Sequence, residues 1–167
     1  HELRELDSAA KHGGLLVVFG RRRVGKTRLL RQWLHEHDGL YSQAIEAQRD
    51  QQIEQVHLDL QPRLETEITP KSWPELFETL RLQRRRWAVC LDEFPYLTAT
   101  DHSLPSRLQK WLDHGIPDGC LLILSGSSTR MMHDLFLNRA APLYGRARRL
   151  LRVEPMDYAA FCDACGL

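Results

Sequence analysis

The sequence predicts an α/β fold, a parallel β-sheet covered by helices on both faces. Three observations carry that prediction. Three unbroken apolar runs, at residues 15–19 (LLVVF), 87–91 (WAVCL) and 120–124 (CLLIL), have the pattern of strands buried on both sides. Amphipathic stretches separate them, each long enough for the crossover connection that parallel strands require. A polar group then follows each run, at residues 20–27, 92–93 and 125–128. In open parallel sheets ligands sit beyond the carboxyl ends of the strands, so these three groups are expected to converge.

In chain order, residues 1–13 form a charged helical lead-in, and the first strand follows. Leu29, Leu30, Trp33 and Leu34 recur at helical spacing up to about Asp38, with Gly39 as the stop. A short strand near residues 40–44, a helix within 48–60 and a loop over 62–70 come next. Ser72 and Glu75 have capping-box spacing with Pro74 between them, which starts a helix running to about Arg85. After the second apolar run, Ser103 and Pro105 open a helix carrying Leu104, Leu108, Trp111 and Leu112 on one face. Met131, Met132, Leu135 and Phe136 mark a helix after the third run, where such a stripe reads as core. Residues 150–153 form a last short strand, and Pro155 precedes an incipient helix.

At 167 residues the chain suits one domain, residues 1–167, with a sizeable core. Its apolar share is 43%, yet no apolar run approaches the roughly 20 residues needed to span a bilayer. This argues for a soluble protein and against a membrane partner. The chain starts with His1 and a charged stretch, as though something had been cut away. Net charge is +1, from 23 basic and 22 acidic residues, so bulk electrostatics offers no case for nucleic acid. Cys90 and Cys120 lie in apolar runs and suit a reducing cytoplasm. Cys162 and Cys165 supply half of a metal motif whose second half is missing, and read more simply as two thiols on one helix face.

The segment Gly20, Arg21, Arg22, Arg23, Val24, Gly25, Lys26, Thr27 fits Gly-x-x-x-x-Gly-Lys-Thr in full, between a strand and a helix that opens with Arg28. Glycines let backbone wrap an anion closely, and the amides and positive end of the helix then face a phosphate chain. Lys26 has the reach for β- and γ-phosphates, and the Thr27 hydroxyl suits Mg²⁺. All of these positions, Arg28 included, are candidate nucleotide contacts. Side chains in the variable loop positions usually point outward, so the three arginines read first as a solvated basic turn, and in a sharper reading as a contact to a neighbouring domain or partner.

Asp92 and Glu93 supply the other half of the chemistry. An aspartate at a strand end can hold a water on Mg²⁺, and an adjacent glutamate can orient and deprotonate an attacking water. Nothing resembles the Asn-Lys-x-Asp motif that reads guanine, which favours ATP. Ser127 sits where a hydroxyl can sense the γ-phosphate or hold the water, while Ser128 suits a helix N-cap. Arg146, with Arg148 and Arg149, can offer transition-state charge in cis, or in trans in a homo-oligomer, or form surface ion pairs.

The stretches GGLLVVFGRRRVGKTRLLRQWL, AVCLDEFPYL, SLPSRLQKWLDHG, LLILSGSSTRMM and PLYGRARRL together resemble the largely archaeal family of P-loop ATPases, AAA+-like and STAND-like, that often carry a winged-helix or nuclease-like C-terminal region. The resemblance implies a P-loop NTPase sandwich of three layers, with a five-stranded parallel sheet in which the strand ending at Ser125 lies between those ending at Phe19 and Leu91. It also implies residues 20–27 as Walker A, Asp92 and Glu93 as Walker B, Ser127 as a sensor-like position, and Arg146 as an arginine near the γ-phosphate. The helical lid of that family is only begun in residues 155–167.

Two functions follow as expectations. The first is Mg²⁺-dependent ATP hydrolysis that drives conformational change in attached domains or partners. The second is a slow or non-hydrolysing ATP/ADP switch or scaffold, with DNA association supported only by scattered arginines such as Arg84, Arg85 and Arg86.

Overall fold

The computed structural model describes residues 1–156 and 163. Five parallel strands, β1 (Gly14–Phe19), β2 (Leu40–Gln43), β3 (Ala88–Asp92), β4 (Leu121–Gly126) and β5 (Arg149–Arg152), form one sheet in the order β2-β3-β4-β1-β5. The strand after which Ser127 follows therefore lies between β1 and β3, as expected. Seven helices cover this sheet among the described residues: α1 (Glu2–His12), α2 (Lys26–Glu36), α3 (Arg49–Leu60), α4 (Trp73–Arg81), α5 (Phe94–Thr100), α6 (Leu104–Asp113) and α7 (Thr129–Phe136).

The period of two along each strand divides the core. Leu15 and Val17 of β1, Val89 and Leu91 of β3, and Leu122 and Leu124 of β4 face one layer, formed by α3 to α7. Leu16, Val18, Cys90, Leu121 and Ile123 face the other, where α1 contributes Leu6 and Ala9 and α2 contributes Leu30, Trp33 and Leu34. A run apolar at every position is thus a strand with a helix layer on each side. The indole of Trp33 donates to Asp7 Oδ1 at 2.9 Å, which ties α1 to α2.

Local differences from the sequence reading have local causes. The helix begun at Trp73 stops at Arg81 rather than Arg85, because the chain must turn into β3. Its capping box is half made: Ser72 accepts from the Glu75 amide, but the Glu75 carboxylate accepts from the Lys71 amide, one residue too early. Of the methionine stripe, Met132 and Phe136 are buried and Met131 is exposed. The helix α5 has no counterpart in the sequence reading. Its two turns are too short for a periodic signal, and Pro95 in its first turn with buried Phe94 and Leu97 holds it in place. Cys90 and Cys120 are buried and unpaired as thiols. Among the described residues no helix is long and apolar enough to cross a membrane. Cys162, Cys165 and most of the expected lid segment lie outside the described residues.

Candidate active site

The loop between β1 and α2 uses its glycines for different reasons. A Cβ on Gly20 would collide with the carbonyl oxygen of Val153, whose amide in turn donates to Phe19 O at 2.8 Å. The chain after β5 therefore presses directly on the loop, and only glycine leaves room. Gly25, by contrast, has open space around it but adopts φ 94° and ψ 9°, a left-handed conformation costly for any residue with a Cβ. Arg23 also takes φ 65°, so the loop doubles back twice before the helix. No side chain caps α2 and no acidic residue stands in its first turn, so its amides face the cleft with positive polarity uncompensated. Gly20→Ala is expected to cost about 1–3 kcal/mol through forced displacement of the loop, read as a lower urea midpoint with an unchanged slope.

Lys26 is almost wholly buried, at 4% exposure. Its ammonium donates to Gly20 O at 2.8 Å, Arg21 O at 3.0 Å and Ser127 Oγ at 3.1 Å. Burial lowers its pKa, against the opposing pull of Glu93 and Asp92. The folded state thus binds this proton less firmly than the unfolded chain, and stability rises with pH in the window just below 10.5. An anionic ligand beside Lys26 reverses that deficit.

Asp92, at the end of β3, is fully buried. Its Oδ2 accepts from Thr27 Oγ1 at 2.9 Å and from the Tyr41 hydroxyl at 2.6 Å, and its Oδ1 accepts from the Glu93 amide at 2.9 Å. Glu93 itself stands at φ 55° and ψ 41°, an uncommon conformation for a residue with a side chain. That turn aims its carboxylate across the sheet end to Ser127, whose hydroxyl donates at 2.6 Å and whose amide donates at 3.4 Å. A continuous chain of hydrogen bonds therefore runs from Lys26 through Ser127 to Glu93. Ser128, the neighbouring serine, is the N-cap of α7 and accepts from the Met131 amide at 3.3 Å.

The three polar groups after β1, β3 and β4 do converge. They line a cleft of about 1220 Å³ that also takes in Arg22, Arg23 and Arg28. Arg22 donates to the Tyr96 hydroxyl at 3.4 Å, and Arg21 is exposed. Val24 packs its side chain against the α1–α2 core, so only its backbone can serve the loop.

Of the roles open to Arg146, the structure shows the surface ion pair. Its guanidinium donates to Asp113 Oδ1 at 2.7 Å beside the amino ends of the strands. The register pairs Arg149 with Leu16, about 13 Å of strand before Gly20 of the phosphate loop, and Arg146 lies three residues farther back still. Arg146 cannot reach that loop within one chain.

The donor set suits Mg²⁺: a threonine hydroxyl and a buried carboxylate are hard oxygen donors. Among the described residues no group of three or more His, Cys, Asp or Glu side chains is arranged to hold a metal unaided. A cation here would complete its shell from phosphate oxygens and water, which is the habit of Mg²⁺.

Residues 1–163 match the model of an ATPase domain found predominantly in Archaea. The chain belongs to this family of ATPase domains. An uncharacterized protein of Methanocaldococcus jannaschii, MJECL04, is 28% identical over 144 residues, covering 86% of this ATPase domain and 31% of that protein. Among solved structures, the Walker-type ATPase PABY2304 of Pyrococcus abyssi superposes with a TM-score of 0.75 at 24% identity, over 97% of this chain and 55% of that one. Cdc6p of Pyrobaculum aerophilum gives 0.64 at 18% identity, over 98% and 47%. Drosophila ORC bound to DNA gives 0.64 at 17% identity, over 99% and 44%. At these identities the structural likeness shows the fold, a P-loop ATPase sandwich. The ATPase domain spans about a third to a half of the length of the proteins it matches.

Two residues of the site escaped the sequence reading of this ATPase domain. Tyr41 reaches Asp92 from β2, and Tyr96 lines the cleft from α5. Tyr41 belongs to no motif, Tyr96 lies within AVCLDEFPYL but was given no role there, and the β2–β3 register that sets Tyr41 beside Cys90, within reach of Asp92, leaves no trace in local sequence.

Proposed function

We propose that this ATPase domain binds ATP with Mg²⁺ and hydrolyses it, with the nucleotide state coupled to conformational change in attached chain or a partner. The observation that supports this reading is the linked set Thr27–Asp92 and Lys26–Ser127–Glu93 at one end of the sheet. The loop amides, from Gly20 onward, cradle the phosphates, and Lys26 exchanges its backbone carbonyl and Ser127 contacts for β- and γ-phosphate oxygens. Thr27 turns its hydroxyl lone pairs outward while its O–H continues to donate to Asp92 Oδ2. Mg²⁺, when bound there, neutralises charge developing on the phosphate oxygens. Glu93 accepts the proton of the attacking water, and Ser127 holds the carboxylate in line for it.

A specific contact supports slow turnover as the second reading. Ser127 engages both carboxylate oxygens of Glu93, so part of the acceptor capacity of the general base is already taken before a water reaches it. Coupling to DNA-associated partners finds its support in the fold shared with ORC bound to DNA, not in the charge of this chain, which is +1.

Asp92→Asn tests the metal half of the proposal. The variant is expected to weaken Mg²⁺-dependent ATP binding about tenfold to a hundredfold, and to leave binding in EDTA nearly intact. Calorimetric titration of both chains, with metal and with chelator, measures it. A loss of the same size under both conditions would make Asp92 a structural residue.

A further inference from the structure

Tyr41 belongs to no motif, yet it makes the shorter of the two side-chain hydrogen bonds to Asp92. The sheet explains why. Parallel pairing sets Tyr41 beside Cys90, and Asp92 follows two residues later on the same face of β3. A phenol is long enough to bridge that stride of roughly 6–7 Å and ends at the carboxylate. Its ring is half-buried, packs on the α1–α2 core, and lies under the guanidinium of Arg31, whose Cζ is 5.2 Å from the ring centroid. Gln43 Oε1, at 3.5 Å, is a second acceptor within range of the hydroxyl, but the single proton goes to the 2.6 Å contact.

Counting acceptor positions gives Tyr41 a task. A carboxylate offers about four lone-pair positions. Thr27 and Tyr41 fill those of Oδ2, and the Glu93 amide takes one of Oδ1. One position on Oδ1 is left, with the plane of the carboxylate pinned from three directions. Without the phenol, Oδ2 keeps only the Thr27 contact, and the side chain regains rotation about its terminal bond.

We infer that Tyr41 is a positioning residue for the metal site: its hydroxyl locks Asp92 in the one orientation that presents an Oδ1 lone pair to a water of bound Mg²⁺. This rests on the ATP and Mg²⁺ reading above. Tyr41 touches neither nucleotide nor metal in this role, and acts through Asp92 alone.

The test is Tyr41→Phe, which keeps the ring, its packing and its contact with Arg31. Calorimetry of ATP binding across an Mg²⁺ series is expected to show about a tenfold higher Mg²⁺ requirement, with binding in EDTA essentially unchanged and the unfolding midpoint lowered only by the loss of one hydrogen bond to the buried Asp92. In the Asp92→Asn background the same substitution is expected to add nothing, since the residue it acts through is already altered. An Mg²⁺ requirement equal to that of the wild-type chain overturns the inference. So does a tighter one, which would make the phenol a competitor of the metal's water, or an equal loss in EDTA, which would make it a nucleotide contact. If the wild-type chain itself gains nothing from Mg²⁺, the proposed function falls and the inference with it. The wild-type titration therefore separates the two failures.

Discussion

Lys26→Ala is expected to abolish ATP binding, with affinity falling at least about a hundredfold from the loss of charge-assisted hydrogen bonds to the ligand. The size of the effect follows from burial. Lys26 stands at 4% exposure, and its ammonium is held in place by Gly20 O, Arg21 O and Ser127 Oγ. Removing it also leaves those oxygens without their shared donor, so part of the loss is disorder in the loop. Calorimetry on both chains measures it. Equal affinities would overturn the assignment of residues 20–27 as a phosphate-binding loop.

Glu93→Gln is expected to lower turnover about 10²- to 10⁴-fold while ATP affinity stays within a few-fold of the parent. Glutamine keeps an acceptor oxygen for Ser127 Oγ, contacted at 2.6 Å, and fits the same backbone, so the change removes basicity and, besides it, only the longer 3.4 Å contact from the Ser127 amide. Phosphate release under saturating ATP, paired with calorimetry, separates the two quantities. If turnover is unaffected, Glu93 is not the general base and the slow-switch reading gains the ground. If affinity collapses with turnover, the carboxylate is a structural partner of Ser127.

The site was legible to the extent that it is written in contiguous residues. Gly20, Gly25, Lys26 and Thr27 carry their meaning in a fixed spacing, and Asp92 with Glu93 carry theirs by following an apolar run. Their convergence was legible as well, because parallel strands end on the same side of a sheet. Arg146 illustrates the opposite case. The resemblance implied a place near the γ-phosphate, but Arg146 precedes β5, and a residue before a parallel strand belongs, within its own chain, to the far end of the sheet. Local pattern names the residue type, and strand direction decides the end.

By itself, then, the sequence determined the α/β class, the glycine loop of residues 20–27 between strand and helix, and the acidic pair at a strand end, since apolar period, glycine spacing and strand-end position are local properties of the chain. Only the tertiary structure decided the contacts set by register and by packing. The pairing of Tyr41 with Cys90 brings a phenol to Asp92, the left-handed turn at Glu93 sends a carboxylate to Ser127, and the chain after β5 presses on Gly20. Each joins residues 30 or more positions apart. Such contacts depend on which strands lie side by side and at what offset, a choice made by the burial of both sheet faces together and not by any one segment.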